Sequence, residues 1–400
     1  MTLLDGLFCT RRSVQHKGAV VKQTTRLALG IGIVAGVAGL AAPLGAHAEG
    51  RAAASASTGA VFVQTNDSTG NQIVSYRRGS HGQLVFAARY NTGGLGAALT
   101  GAVVDKLASQ GSLSYDSADH VLVAVNAGSN SITEFRVDGE QLSDRITVSS
   151  GGSIPVSVTT GGGRIYVLNA GGAGSVEGFH TGSLTRIPGS ARSLHLTPNL
   201  TPQFLNTPGQ IGLTPDQRRL VVTTKANGSS IEVFRVLEDG GLSTSPTVTP
   251  AANPVPFGFT FDRAGDLVDA EAGTNALTTY AIHADGTVSE LASVTNGQAA
   301  LCWVAGAGRF FYGANAGSGT LTGYTVDAGG VPSIVGETAT DPGTIDLAAT
   351  PDGRFLYVET GVSGIVDAFA VRVDGSLVAT GSSVVPELPG HTGLEGIAVS

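Results

Sequence analysis

The feature that most constrains this chain is an internal repeat with a period in the forties. Leu122-Val123-Ala124-Val125-Asn126-Ala127 recurs as Ile165-Tyr166-Val167-Leu168-Asn169-Ala170, and again at 220–225, 267–272, 311–316 and 356–361. The fifth residues of these copies are 126, 169, 224, 271, 315 and 360, so the intervals are 43, 55, 47, 44 and 45 residues. A seventh copy, Val61-Phe62-Val63-Gln64-Thr65-Asn66, precedes them. Each copy is followed by a turn and a second alternating segment, as in Ser131-Ile132-Thr133-Glu134-Phe135-Arg136-Val137. Asp138-Gly139, Asp285-Gly286 and Asp374-Gly375 then supply hairpin turns before a further strand. Four short strands per 43–47 residues is the spacing of a propeller blade. The first copy carries only three strands, at about 60–90, and Gly396-Ile397-Ala398-Val399 is a strand without a blade. Pairing the two removes the last open edge. The expectation is an all-β, seven-bladed β-propeller over residues 60–400, with 396–399 beside the strand at 61–66. A solenoid needs capping repeats and leaves the split blade unexplained.

Composition fits this reading. Glycine is 58 of 400 residues without a triplet period, which suits many tight turns and excludes collagen. The net charge is −8, and after residue 48 eighteen Lys and Arg face thirty Asp and Glu. An acidic surface repels phosphate backbones, which argues against nucleic acid.

The first 48 residues read as an address. Lys17, Lys22 and Arg26 precede an apolar stretch at 27–42, and Ala46-His47-Ala48 follows it. That order is a secretory signal, and the stretch is short for a membrane span. Residues 1–48 are expected to be cleaved, 49–59 to be a flexible lead-in, and the protein to be secreted or periplasmic. Cleavage leaves Cys302 as the one cysteine, in an apolar run that suits a small buried hydrophobe.

Several segments resemble the seven-bladed propeller lactonase family of 6-phosphogluconolactonase and 3-carboxymuconate cyclase relatives, in its exported bacterial branch. They are Gly94-Leu95-Gly96, Ser109-Gln110-Gly111-Ser112-Leu113, Val125-Asn126-Ala127-Gly128-Ser129-Asn130, Val167-Leu168-Asn169-Ala170-Gly171-Gly172, Pro256-Phe257-Gly258-Phe259, and Gln298 with Ala300 to Val304. The resemblance implies a small lactone, or its open-chain acid, handled at the channel mouth by hydrolysis or cycloisomerisation. Two departures stand out. The family's Pro-His-x-His-like entry is Pro208-Gly209-Gln210-Ile211 here, and its Thr-Glu-Lys is Thr223-Thr224-Lys225.

The candidate site follows from the repeat. Its fifth positions are expected to ring the channel mouth, with Asn126, Asn169 and Asn315 as substrate-binding groups joined by Gln110, Gln210 and Gln298. Repeated Asn at strand ends also serves as a turn residue, so a structural role stays open. Glu271 replaces Asn at an equivalent position and must be hydrated, paired or bound to an ion. Glu271, Asp346 and Lys225 are the catalytic candidates, the carboxyls moving protons and Lys225 polarising a carbonyl. A surface role for Lys225 is equally open. Glu395 lies near the same mouth. No cofactor is expected; calcium or magnesium held by Glu271, Asn126, Asn169 and Asp346 is a lesser alternative. The histidines show no ligand spacing, and His391 alone falls near the mouth. The expected partner is a small molecule, with no nucleic acid, no membrane span after cleavage, and a monomeric state. The rival to the enzyme is a non-catalytic propeller that binds a ligand, an envelope component or a protein.

Overall fold

The computed structural model describes residues 59–386 and 393–400. The expected signal at 1–48, the lead-in at 49–58 and His391 lie outside these residues. Seven four-stranded antiparallel sheets are arranged as blades, as the repeat implies. Blade 1 takes three strands from the start of the domain, Ala60–Gln64, Gln72–Arg78 and Leu84–Asn91, and Gly396–Val399 as its inner strand. The closing register pairs Val61 with Val399, Phe62 with Ala398, Val63 with Ile397 and Gln64 with Gly396. Blades 2 to 7 begin with the inner strands Leu113–Asp116, Pro155–Gly161, Pro208–Leu213, Pro256–Phe261, Leu301–Ala307 and Thr344–Ala349. These inner strands neighbour one another around a closed ring.

The repeat itself is the second strand of each blade. Val121–Asn126, Arg164–Asn169, Phe310–Asn315 and Phe355–Thr360 have almost every residue buried, because both faces pack against adjacent blades. Tyrosine at the second repeat position ties blades together. The Tyr166, Tyr312 and Tyr357 hydroxyls donate to the carbonyls of Gly240, Gly375 and Gly82 at 2.7, 2.8 and 2.8 Å. The last of these bonds joins blade 7 to blade 1, so the ring is fastened by side chains as well as by the C-terminal strand.

One irregularity positions the candidate site. The inner strands of blades 3 to 7 each carry a register shift near their first residue, between Pro155 and Ser157, Pro208 and Gln210, Pro256 and Phe259, Leu301 and Trp303, and Thr344 and Leu347. A bulge leaves a residue out of the ladder and turns its polar groups elsewhere. Here the freed groups meet at the propeller axis.

Candidate functional site

The axis is filled by the protein's own chain. Of the long insertion at 91–110, the second half runs into the channel. Residues 105 and 107–110 are buried there, and residues 98, 100, 101 and 103 are exposed in an outer arch. The freed groups of the bulges bind the buried part. Gln110 N–H donates to the Gly209 carbonyl at 3.1 Å, Ser109 Oγ to the Val156 carbonyl at 2.8 Å, and Gly111 N–H to Asp346 Oδ2 at 3.2 Å. The indole of Trp303 donates to the Ser109 carbonyl at 2.9 Å. The Gln110 side chain donates to the Val304 carbonyl at 2.8 Å and accepts from its N–H at 3.1 Å. Asp105 sets the local turn. Its carboxylate accepts from the N–H groups of Leu107, Ala108 and Ser109 at 2.9, 2.6 and 3.1 Å. That network holds Ala108 in the left-handed region, at φ 49°.

Lys225 is at the centre of this arrangement. Its side chain is fully buried, and its ammonium donates to the Ala108 carbonyl and stands 5.0 Å from the centre of the Phe257 ring. Burial pulls its pKa down to about 7, and Asp105, Cys302 and Glu395 oppose that fall. Burial also raises Asp105, and hydrogen bonds from Glu395, Ala108 and Ser109 hold it back. Glu395 is pushed well up by burial and by Asp105, so it keeps a proton to share with Asp105. Asp346 rises to about 7 through burial, and Glu359 rises well above the carboxylate range through burial and its acidic neighbours Asp346 and Asp105. The Cys302 thiol is raised by burial too, as suits a buried hydrophobe. The cluster thus combines one lysine that can lose its charge near neutrality with acids that retain protons.

The expected channel-mouth ring is not formed, and the structure corrects several roles. Asn126 accepts from Asn71 and Thr92 of blade 1, and donates to Ser131 and Thr133 of blade 2. Asn315 donates to Thr320 and Thr322 and accepts from Asn296. Asn169 donates to the Ser150 carbonyl. These are joints between and within blades; at Asn126 and Asn315 the amide donates and accepts at once, while Asn169 only donates. Glu271 occupies the same joint in blade 5. Thr278, seven residues on like Thr133 and Thr322, donates to it at 2.8 Å, and the Tyr280 hydroxyl is its second donor. Its neighbour Asp269 is fully buried, has no hydrogen-bond partner among the described residues, and is pushed well up by burial and by Glu271. Glu271 is therefore paired inside its blade and is not among the charges acting on Lys225. Gln210 is spent on a backbone clamp, donating to the Phe259 carbonyl at 3.0 Å and accepting its N–H at 2.6 Å. Gln298 is half-buried in a turn, where it accepts from Thr320.

Of the nine candidates, Lys225, Asp346 and Gln110 meet at the axial segment. Asp105, Glu359 and Trp303 join them; Asp105 belongs to an insertion without a repeat counterpart, whereas Glu359 replaces Val, Leu, Thr or Ala at the fourth repeat position and was missed. The calcium set of Glu271, Asn126, Asn169 and Asp346 is distributed over four separate networks. Among the described residues no three His, Cys, Asp or Glu side chains are grouped to hold a metal. Beside the cluster, Asp105, Ala108, Phe204, Phe257 and Trp303 line a cavity of about 20 Å³, room for about one water.

No protein-family model matches the chain, and no curated protein does. Solved structures match it closely in fold. A provisionally assigned 6-phosphogluconolactonase from Bacteroides fragilis superposes with a TM-score of 0.67 at 18% identity, over 87% of this chain and 99% of that one. The periplasmic gluconolactonase of Pseudomonas aeruginosa gives 0.65 at 19% identity, over 85% and 98%. A hypothetical selenium-binding protein from Sulfolobus tokodaii gives 0.62 at 10% identity, over 85% and 93%. The resemblance carried by the sequence segments thus has its counterpart in three dimensions: this chain has the seven-bladed propeller fold of the gluconolactonase-type proteins.

Proposed function

We propose that the protein is an exported lactonase-like propeller that acts on a small lactone or its open-chain acid at the axial cluster. The observation that carries the reading is Lys225, buried beside acids whose pKa burial raises and donating to a carbonyl oxygen. The Ala108 carbonyl stands in for the carbonyl of a ligand. In hydrolysis, Lys225 donates to the lactone carbonyl oxygen while water attacks the carbonyl carbon. Asp346 as carboxylate takes the water proton, the ring C–O bond breaks, and the leaving oxygen receives a proton from the acid cluster. With room for about one water beside Lys225, substrate enters only when residues 99–108 withdraw.

A second reading has its own support. The axial segment is held from several blades, which favours a rigid scaffold that binds a ligand or envelope component without chemistry. A lactone panel assayed on the chain lacking residues 1–48 separates the two. Hydrolysis above background that is lost in Lys225→Met supports the enzyme; no turnover of any lactone leaves the scaffold. Export is tested by sequencing the N-terminus of protein recovered outside the cytoplasm, with Glu49 as the expected first residue.

A further inference from the structure

The antiparallel blades put the turn between strands two and three, which carries Lys225, at one end of the ring. The turns between strands one and two, and three and four, lie at the other end. There, a cleft of about 340 Å³ opens between blades 4 and 5. Its wall contains Arg218, Arg219 and Arg235, with Ser245 and Thr247. Three guanidinium groups in one cleft are unusual on a chain with eighteen cations against thirty acids after residue 48.

Their arrangement is costly in itself. Arg219 and Arg235 are direct partners on neighbouring strands, so their side chains leave the same face about 5 Å apart. Like charges in that position repel. Neither Arg218 nor Arg235 has a hydrogen-bond or ion-pair partner for its guanidinium among the described residues, and both are exposed. Arg219 has a loose pair with Asp216 at 3.7 Å. The one acid in the wall, Asp285, accepts the N–H and hydroxyl of Thr287 on its Oδ1, within its own turn. A fourth guanidinium, Arg192, donates to the carbonyls of Leu242 and Ser243, the second of which lines the cleft. The position calls for an anion with enough charge and enough acceptor oxygens to serve more than one guanidinium fork.

We infer that the cleft between blades 4 and 5 is a binding site for a phosphate-type dianion, held by Arg218, Arg219 and Arg235 with the Ser245 hydroxyl. The site is remote from the axial cluster and does not depend on the lactonase reading. A phosphate group can come from a free phosphorylated metabolite or from a phosphate-bearing envelope polymer, and both present the same oxygens.

Titration of the full mature chain with inorganic phosphate, at constant ionic strength set by chloride, tests this by calorimetry and by thermal shift. Saturable binding in the millimolar range or tighter is expected, together with a higher melting temperature. Arg218→Ala/Arg235→Ala should weaken binding at least tenfold and remove the thermal shift. The same variant should melt no lower than wild type without phosphate, since it relieves an opposed pair. Phosphate binding that survives the double substitution overturns the proposal, as does the absence of saturable binding to wild type. A second arm compares a phosphosugar with a short polyphosphate. Tighter binding of the polymer points to the envelope source, and tighter binding of the sugar to the metabolite.

Discussion

At the axis, Lys225 and its acidic neighbours are enclosed by the chain's own residues 105–111, and every shift from ordinary acidity there begins with burial. At the rim, Arg218 and Arg235 are exposed, and neither guanidinium has a hydrogen-bond or ion-pair partner among the described residues. The same low charge content therefore produces two unlike sites. Burial makes the axial charges conditional, so they exist only where a hydrogen bond or an opposite charge offsets desolvation. Exposure makes the rim charges permanent and leaves them free for an external anion. Chemistry that needs a proton carrier near neutrality belongs to the first; recognition of fixed charge belongs to the second.

The comparison breaks most directly at Asp105. Asp105→Ala removes the acceptor of three buried N–H groups and the main opposite charge beside Lys225. It should cost about 3–5 kcal/mol in urea unfolding; a loss below about 1 kcal/mol would show that the axial segment is not a structural hub. Lys225→Met is the sharper probe of chemistry. It leaves buried Asp105 without its opposite charge and the Ala108 carbonyl without its donor, so stability should fall by about 1–3 kcal/mol. Turnover of any lactone the wild type hydrolyses should fall about 10²–10³-fold. Equal losses of stability and activity would return Lys225 to a structural role.

Acidity offers a third test. Asp346 rises from 3.8 to about 7, so the folded state holds the extra proton between these values. Its stabilising contribution is complete below about pH 4 and is lost as pH rises through 7. Lys225 falls from 10.5 to about 7, so above neutrality the unfolded chain binds more protons and stability recovers with rising pH. Unfolding free energies from urea melts should pass through a minimum near pH 7, about 4 kcal/mol deep. Lys225→Met should flatten the alkaline arm, and Arg218→Ala/Arg235→Ala should leave both arms in place. The smallest effect is expected at Glu271. Glu271→Gln keeps one acceptor oxygen, for Thr278 or Tyr280 but not both, and ends the repulsion with Asp269. Stability should move by about 1 kcal/mol and lactone turnover by less than twofold, whereas a tenfold loss of turnover would restore Glu271 as a proton carrier.

Much of the candidate site was legible as residue types and little of it as roles. Lys225 stands out because its repeat position holds Ala or Gly in the aligned copies. Asp346 and Gln110 stand out as polar residues at inner-strand entries. Glu271 stands out for the same reason as Lys225, yet belongs to a blade joint. A departure from a repeat marks a position where the environment has changed. It does not say toward which neighbour the side chain turns.

What the sequence determined by itself is the ring. Strand alternation, turn residues and a period near 45 are local properties, and seven copies with one split blade leave a single way to close the edges. Tyr166, Tyr312 and Tyr357 repeat with the strands that carry them, so the ties between blades come with the period. Only the tertiary structure decided what fills the axis. Residues 105–111 have no counterpart elsewhere in the chain, and their partners, Val156, Gly209, Trp303, Asp346 and Glu395, come from five different blades. Each contact joins residues dozens to hundreds of positions apart. The register shifts that free those groups become visible only once neighbouring strands are paired. Burial then sets the acidity of Lys225 and Asp346, and burial belongs to the closed ring, not to any segment within it.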